Sequence, residues 1–195
     1  MAIVSCFMVI RVNSRAVQHT IFFTVYNILS ETSSCKLYCS QKEDEMSQHH
    51  RVFIYGTLMN GLRNHHKMAC AKFLSTSKTM LPSYTLLQFP SQSSPGHVTP
   101  GLKKHGNDCI SGELYLLDDE CLAILDDFED VGREYERSRI MLHDNSYAWA
   151  YFLLAEKPQC AEGTPSFIVR DEATQSVSWD GHAEEAYARK ALKAA

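Results

Sequence analysis

The chain has 195 residues, 45% of them hydrophobic and 22% charged, with a net charge of −4. That apolar share supports a single domain with a sizeable core plus extra segments. The mild negative charge gives no electrostatic basis for binding nucleic acid or an anionic membrane, and no apolar run reaches the length of a membrane-spanning helix.

Residues 1–45 differ from the rest: apolar bursts, Arg11 and Arg15, and no acid before Glu31. They read as an N-terminal extension, either a targeting segment or a dispensable one, because acid-poor, serine-containing leaders have this composition. A catalytic domain is expected over 46–170 and a C-terminal tail over 171–195. Seven cysteines (Cys6, Cys35, Cys39, Cys70, Cys109, Cys121, Cys160) form no paired CxxC set, so they are expected to be reduced thiols of a cytoplasmic protein. Cys35 and Cys39 lack a partnering pair at finger spacing, and neighbouring His49-His50 and His65-His66 point in different directions, so no metal is expected.

The first convincing strand is 51–55, Arg-Val-Phe-Ile-Tyr, broken at once by Gly56. A glycine after a buried strand allows close backbone approach, and successive N–H groups can cradle an anion or a developing oxyanion. An ordinary strand-to-loop turn has the same appearance. Residues 64–73 have helical character, 78–89 look extended, and the Pro-, Gly- and Ser-rich stretch 89–101 reads as a loop. Residues 112–117 form a buried strand that runs into a short helix capped by Asp118. Cys121, Leu122, Ile124, Leu125 and Phe128 gather on one side of that helix. Glu129 falls almost in line with Leu122 and Leu125, so one acid of an acidic helix end is aimed inward, where a carboxyl holds its proton more tightly. The alternative is a solvated helix end. Residues 135–142 alternate as a strand with Tyr135, Arg137 and Arg139 on one face, the aromatic-rich run 147–154 reads as the next strand, 158–165 is loop, and the segment from His182 reads as a surface helix.

Three blocks carry a resemblance: Val52-Phe53-Ile54-Tyr55-Gly56-Thr57-Leu58, with Gly61 and Asn64-His65 after it; Gly112-Glu113-Leu114-Tyr115; and Leu125-Asp126-Asp127-Phe128-Glu129 with Tyr135-Glu136-Arg137. In this order they resemble the gamma-glutamylcyclotransferase-like (AIG2-like) superfamily, closest to its gamma-glutamylaminecyclotransferase branch, over roughly residues 51–155. The resemblance implies an α+β fold, a small mixed β-barrel with flanking helices, and an active site at the barrel mouth. It implies that Tyr55, Gly56, Thr57 and Leu58 contact the gamma-glutamyl part of a small-molecule substrate. It also implies Glu129 as the catalytic acid/base and Tyr135 and Arg137 as further substrate-binding residues. The stretch 82–86 departs from the branch pattern on the substrate side.

The implied reaction is intramolecular. The substrate's α-amine closes on its own γ-carbonyl, releasing 5-oxoproline and a free amine, so neither a protein nucleophile nor a cofactor is needed. The expected substrates are gamma-glutamyl amines such as gamma-glutamyl-ε-lysine. The alternatives are gamma-glutamyl amino acids or glutathione, or a ligand-binding module without turnover. Glycoside hydrolysis by paired carboxylates lacks a preferred second acid.

Overall fold

The computed structural model describes residues 49–194. Residues 1–45, expected to be an extension, lie outside that range, as do Cys6, Cys35 and Cys39. The chain order is β1 (His50–Ile54), a 3-10 turn (His65–Met68), β2 (Lys72–Lys78), β3 (Tyr84–Pro90), β4 (Val98–Lys104), β5 (Cys109–Leu117), α1 (Asp119–Phe128), β6 (Tyr135–Met141), β7 (Tyr147–Leu153), β8 (Ile168–Asp171), β9 (Ser176–Trp179) and α2 (Gly181–Ala194).

Seven strands form one mixed sheet in the order β6-β7-β1-β5-β9-β8, with β2 also on β5, and β3–β4 form a separate hairpin. The α+β class expected from the sequence holds. The bridge Thr79–Leu142 links the ends of β2 and β6, with Met80 N–H on Met141 O at 2.9 Å and His143 N–H on Lys78 O at 3.0 Å. The run β6-β7-β1-β5-β2 thus comes round on itself through a short closure, while β9 and β8 extend from β5 outside it. The nine-residue β5 is the hub: it pairs antiparallel with β1 along residues 113–117 and with β2 along 111–116, and parallel with β9 at Cys109 and Ile110.

Alternation along β1 serves two cores. Phe53 and Tyr55 pack with Leu102, Phe152, Val177 and Trp179 on one side of the sheet. Val52 and Ile54 pack with Leu117, Leu122, Leu125 and Tyr151 on the other, where α1 lies. Asp118 caps α1 as expected, its carboxylate accepting the Cys121 N–H at 2.8 Å.

Four sequence expectations are corrected. The helical reading of 64–73 gives way to the 3-10 turn and then β2. The body of that strand, residues 72–76, is exposed and shows no alternation; it is held by backbone pairing to β5 and by the edge contact of Phe73 with Tyr115 (5.5 Å between centroids). The loop reading of 89–101 gives way to a hairpin whose turn is closed by Ser91 N–H on His97 O at 2.9 Å. Gly101 is required in it: a Cβ there would lie 2.3 Å from Leu153 Cδ1. The tail is more than a surface helix: Val177 and Trp179 are core residues, and Glu184 and Ala188, one turn apart on α2, are fully buried. Finally, the apolar stripe of α1 is narrower than the spacing suggested, since Ile124 and Phe128 are exposed.

The cysteine expectation also fails in part. Cys70, after the 3-10 turn, is disulfide-bonded to Cys121 in the first turn of α1, while Cys109 and Cys160 are free. The two sulfurs meet because the 3-10 turn packs on α1, a contact that the 51-residue separation does not reveal. Cross-linking a loop of this size restricts the unfolded chain by about 4 kcal/mol in the chain-entropy account. Cys70→Ser should therefore lower the unfolding free energy by about 2–4 kcal/mol, read by denaturant titration. Added reductant should lower the wild type by a similar amount and leave the variant unchanged.

Candidate active site

The chain leaves β1 at Tyr55 and enters a tight loop in which the carbonyls of Gly56, Thr57 and Leu58 are occupied by the protein. Gly56 O accepts Met59 N–H at 2.9 Å and Thr57 O accepts Asn64 N–H at 3.1 Å. Leu58 O accepts from His65 Nδ1 at 3.0 Å. Asn64 also donates its side-chain amide to Thr57 Oγ1 at 2.8 Å, and it makes no side-chain cap bond to the 3-10 turn. Asn64 and His65 thus brace the loop as well as opening the 3-10 turn. Their distance of seven residues from Thr57 and Leu58 was the available signal. The loop's N–H groups at Gly56, Thr57 and Leu58 take no part in these bonds, so they are the donors this turn can offer a ligand. A side chain at Gly56 would collide with the ring of Pro100, 2.7 Å from a Cβ placed there, so glycine lets β4 close against the loop.

This loop forms one side of a cleft of about 550 Å³, within the range of small-molecule sites. Tyr55, Gly56, Thr57 and Leu58 all line it, and so do Glu129 and Tyr135. Six of the seven residues expected at the site are thereby brought together. Arg137 is not among the lining residues. Its guanidinium pairs with Asp126 at 2.6 Å and lies over the Trp149 ring at 5.1 Å. The cause is register: Arg137 sits opposite Tyr151 on β7, and Tyr151 donates its hydroxyl to the same Asp126 at 2.9 Å. Residues that the sequence reading missed include Tyr151, Arg63, Thr99 and Lys157, all lining the cleft. They come from four different segments, and no local spacing connects them.

Glu129 is the residue immediately after α1, its N–H still bonded to Leu125 O at 2.9 Å. Its carboxylate accepts no hydrogen bond from the described residues. It faces the cleft with part of its surface open, yet protein surrounds it on most sides, and burial pushes its carboxyl up to about 7. The surroundings are aromatic. Tyr55, Tyr135 and Tyr151 are all raised above the ordinary phenol range by burial, and the nearby Glu129 charge adds to the rise of each. Two of the three phenols are turned away from Glu129 by other bonds: Tyr55 donates to Tyr151 O at 2.7 Å, and Tyr151 to Asp126. The outcome is a carboxyl that changes charge near neutrality beside a loop of N–H donors, which is the equipment for moving a proton next to a carbonyl.

An α+β fold with one buried acid facing a glycine loop defines a small-molecule site of the acid/base type, and similarity to known proteins agrees. Residues 52–172 match the family gamma-glutamyl cyclotransferase, AIG2-like. The chain belongs to that family, an enzyme family of cyclotransferase type. It is 37% identical over 102 residues to a putative gamma-glutamylcyclotransferase of Vibrio cholerae, covering 52% of this chain and 80% of that one. It is 36% identical over 103 residues to gamma-glutamylaminecyclotransferase C of Danio rerio, covering 50% and 64%. The mouse gamma-glutamylaminecyclotransferase is 33% identical over 101 residues, covering 47% and 62%. The match therefore spans somewhat under two thirds of the fish and mouse proteins. In fold the chain is similar to the urea amidolyase of Kluyveromyces lactis, with a TM-score of 0.50 at 19% identity, covering 85% of this chain and 9% of that one.

The raised carboxyl has a consequence for stability. Below the ordinary value of 4.5, Glu129 is protonated in folded and unfolded chains alike. Between 4.5 and about 7 the unfolded chain has lost the proton that the folded one keeps, so stability falls as pH rises through this window. Above it the deficit is constant, on the order of 3 kcal/mol. Glu129→Gln should remove this slope: relative to wild type it should gain stability progressively from pH 4.5 to 7, measured by denaturant unfolding across pH. A difference between the two proteins that is flat in pH would contradict the burial of this carboxylate.

Proposed function

We propose that the protein converts gamma-glutamyl amines, with gamma-glutamyl-ε-lysine as the reference substrate, into 5-oxoproline and the free amine, with Glu129 as the acid/base. The observation carrying this reading is the unbonded, half-buried carboxyl of Glu129 sharing a cleft with the N–H groups of the Gly56 loop.

The cleft holds the substrate bent, so that its α-nitrogen lies near its own γ-carbon, and this supplies the proximity term. Ionised Glu129 takes a proton from the α-ammonium. The freed nitrogen pair forms a bond to the γ-carbon, closing a five-membered ring while the carbonyl π pair moves to oxygen. The N–H groups of Gly56, Thr57 and Leu58 meet that oxyanion. As the pair returns, the bond from the γ-carbon to the leaving nitrogen breaks, and Glu129 gives its proton to that nitrogen. The ionised acid then takes the extra proton left on the ring nitrogen and passes it to the freed amine, which departs as an ammonium. The proton leaves the acid as it arrived, and no protein bond is made or broken. A carboxylate of ordinary acidity would take the first proton poorly, so the upward push from burial suits both halves of the cycle.

Tyr55 and Tyr135 shape the floor of the cleft and exclude water. The Tyr55 hydroxyl is committed to Tyr151 O and high in proton affinity, so it acts by packing. The charges lining the cleft are mixed, with Arg63, Arg133 and Lys157 against Asp130, Glu129 and Glu134. This suits a zwitterionic leaving group such as lysine better than an apolar amine.

Incubation with gamma-glutamyl-ε-lysine should release 5-oxoproline, and Glu129→Gln should lower kcat by about 10²–10⁴-fold with the fold intact. Because the base form of Glu129 is required, kcat/KM should rise with pH and level off above about 7. Turnover of gamma-glutamyl-alanine or glutathione in place of the lysine compound would keep the chemistry and change the substrate. Binding of 5-oxoproline with no turnover across the whole panel would leave a ligand-binding module.

A further inference from the structure

We propose that Arg63 is the anchor for the α-carboxylate of the substrate, and that Glu184 on α2 is the positioning residue that holds Arg63 in the cleft. The inference rests on the reaction proposed above.

Glu184 is a fully buried carboxylate that the proposed chemistry does not use. Its Oε2 accepts from Arg63 Nη1 at 2.7 Å, and its Oε1 accepts from Val98 N–H at 2.7 Å and lies 3.1 Å from His97 Nδ1. The next residue on the helix adds a second grip, Glu185 Oε1 accepting Arg63 N–H at 2.8 Å. Arg63 in turn donates from Nη2 to Thr99 Oγ1 at 3.1 Å and to Val98 O at 3.3 Å, and Nη1 lies 3.5 Å from His97 Nδ1. Burying a carboxylate is costly unless every oxygen is satisfied, so this amount of bonding at a position far from the chemistry calls for a purpose. Its effect is to join two walls of the cleft, since Arg63 and Thr99 both line it. The helix is seated for this by Gly181, where a Cβ would lie 2.3 Å from Leu62 Cδ1.

Arg63 is the lining cation best suited to a carboxylate. Its side chain is only 15% exposed, and the bonds above fix its fork before any ligand arrives. These bonds engage both terminal nitrogens and leave Nε–H as the one donor of the guanidinium for a further anion. Arg133 is 83% exposed and paired with Asp130 at 3.5 Å, which leaves its charge largely hydrated. Lys157 is paired with Glu134 and has no fork. Arg137, the substrate-binding arginine that the resemblance implied, is committed to Asp126 and does not line the cleft. Arg63 also neighbours the oxyanion loop directly, because Asn64 N–H bonds Thr57 O at 3.1 Å. A substrate gripped at its α-carboxylate by Arg63 and at its γ-carbonyl by that loop is held at the two ends of the bend that ring closure requires.

The product offers a test independent of turnover. 5-Oxoproline carries the α-carboxylate; 2-pyrrolidinone is the same ring without it. Ligand-observed NMR titration should show wild type preferring 5-oxoproline. Arg63→Gln/Glu184→Gln, which removes both charges and strands neither, should lose that preference by about tenfold or more while 2-pyrrolidinone binds as before. Glu184→Gln alone should lose part of it, because Arg63 remains but is no longer held. Arg63→Lys, which keeps the charge without the fork, should fall between, and serves if the double variant does not fold. Wild-type preference retained in the double variant, or in Arg63→Lys where that variant alone folds, would overturn the inference and leave the proposed reaction standing. A wild type that binds neither ring would overturn both.

Discussion

The cleft depends on keeping donors and water away from one carboxylate. Glu129 lies where α1 ends against the sheet, so its backbone is fixed by the helix while its side chain meets the aromatic floor. What matters is as much the direction of the neighbouring phenols as their bulk. A hydroxyl donating to Glu129 would stabilise the ionised form and pull the carboxyl back toward ordinary acidity. Instead Tyr55 spends its hydrogen on a β7 carbonyl, and Tyr151 spends its own on Asp126. The same rings therefore exclude water without supplying the bond that would undo its exclusion.

Asp126 and Glu129 sit one turn apart at the same helix end, and the structure gives them opposite environments. Asp126 receives Arg137 and the Tyr151 hydroxyl; Glu129 receives neither. The pairing of Arg137 with Asp126 is thus a condition for the behaviour of Glu129. An arginine placed against Glu129 would hold it ionised through neutral pH and leave it a weak base. Two acids with the same chemistry, separated by three positions, are sorted into an ion-pair member and an unpaired carboxyl of raised proton affinity by which one the β6 arginine can reach.

Much of this was legible in the sequence because its signals are local. Residues 51–56 announce a buried strand ending in a bend, and the 100° turn of a helix places Glu129 beside Leu122 and Leu125, both buried. The two strands after α1 form at Tyr135–Met141 and Tyr147–Leu153, within a residue of where their composition places them, although neither buries every second residue along its length. What was not legible depends on register or on contact at a distance. β2 carries no alternation because pairing, rather than burial, holds it. The β3–β4 hairpin looked like a loop because its Pro100 and Gly101 are there for close packing against Gly56 and Leu153. Arg137 was placed on the correct strand, but its partner is decided by the pairing of β6 with β7. The Cys70–Cys121 bond depends on the 3-10 turn reaching α1, and nothing in the spacing of the seven cysteines marks those two.

The C-terminal helix is the furthest case, since it lies beyond the matched segment 52–172. An Ala-, Glu- and Lys-rich stretch has the composition of a solvated helix, and most of α2 is exposed. Yet Glu184 and Ala188, four positions apart, form a buried stripe one residue wide at each turn. A helix that packed only for stability would bury apolar side chains there. This one buries a carboxylate, and the groups that meet it come from Arg63 in the loop after β1 and from His97 and Val98 at the start of β4. An ion pair of this kind adds little stability over an apolar substitute, but it fixes geometry, because its bonds are satisfied in only one arrangement. The part of the cleft that Arg63 and Thr99 line is therefore braced by a charge on α2, a helix that supplies no lining residue of its own.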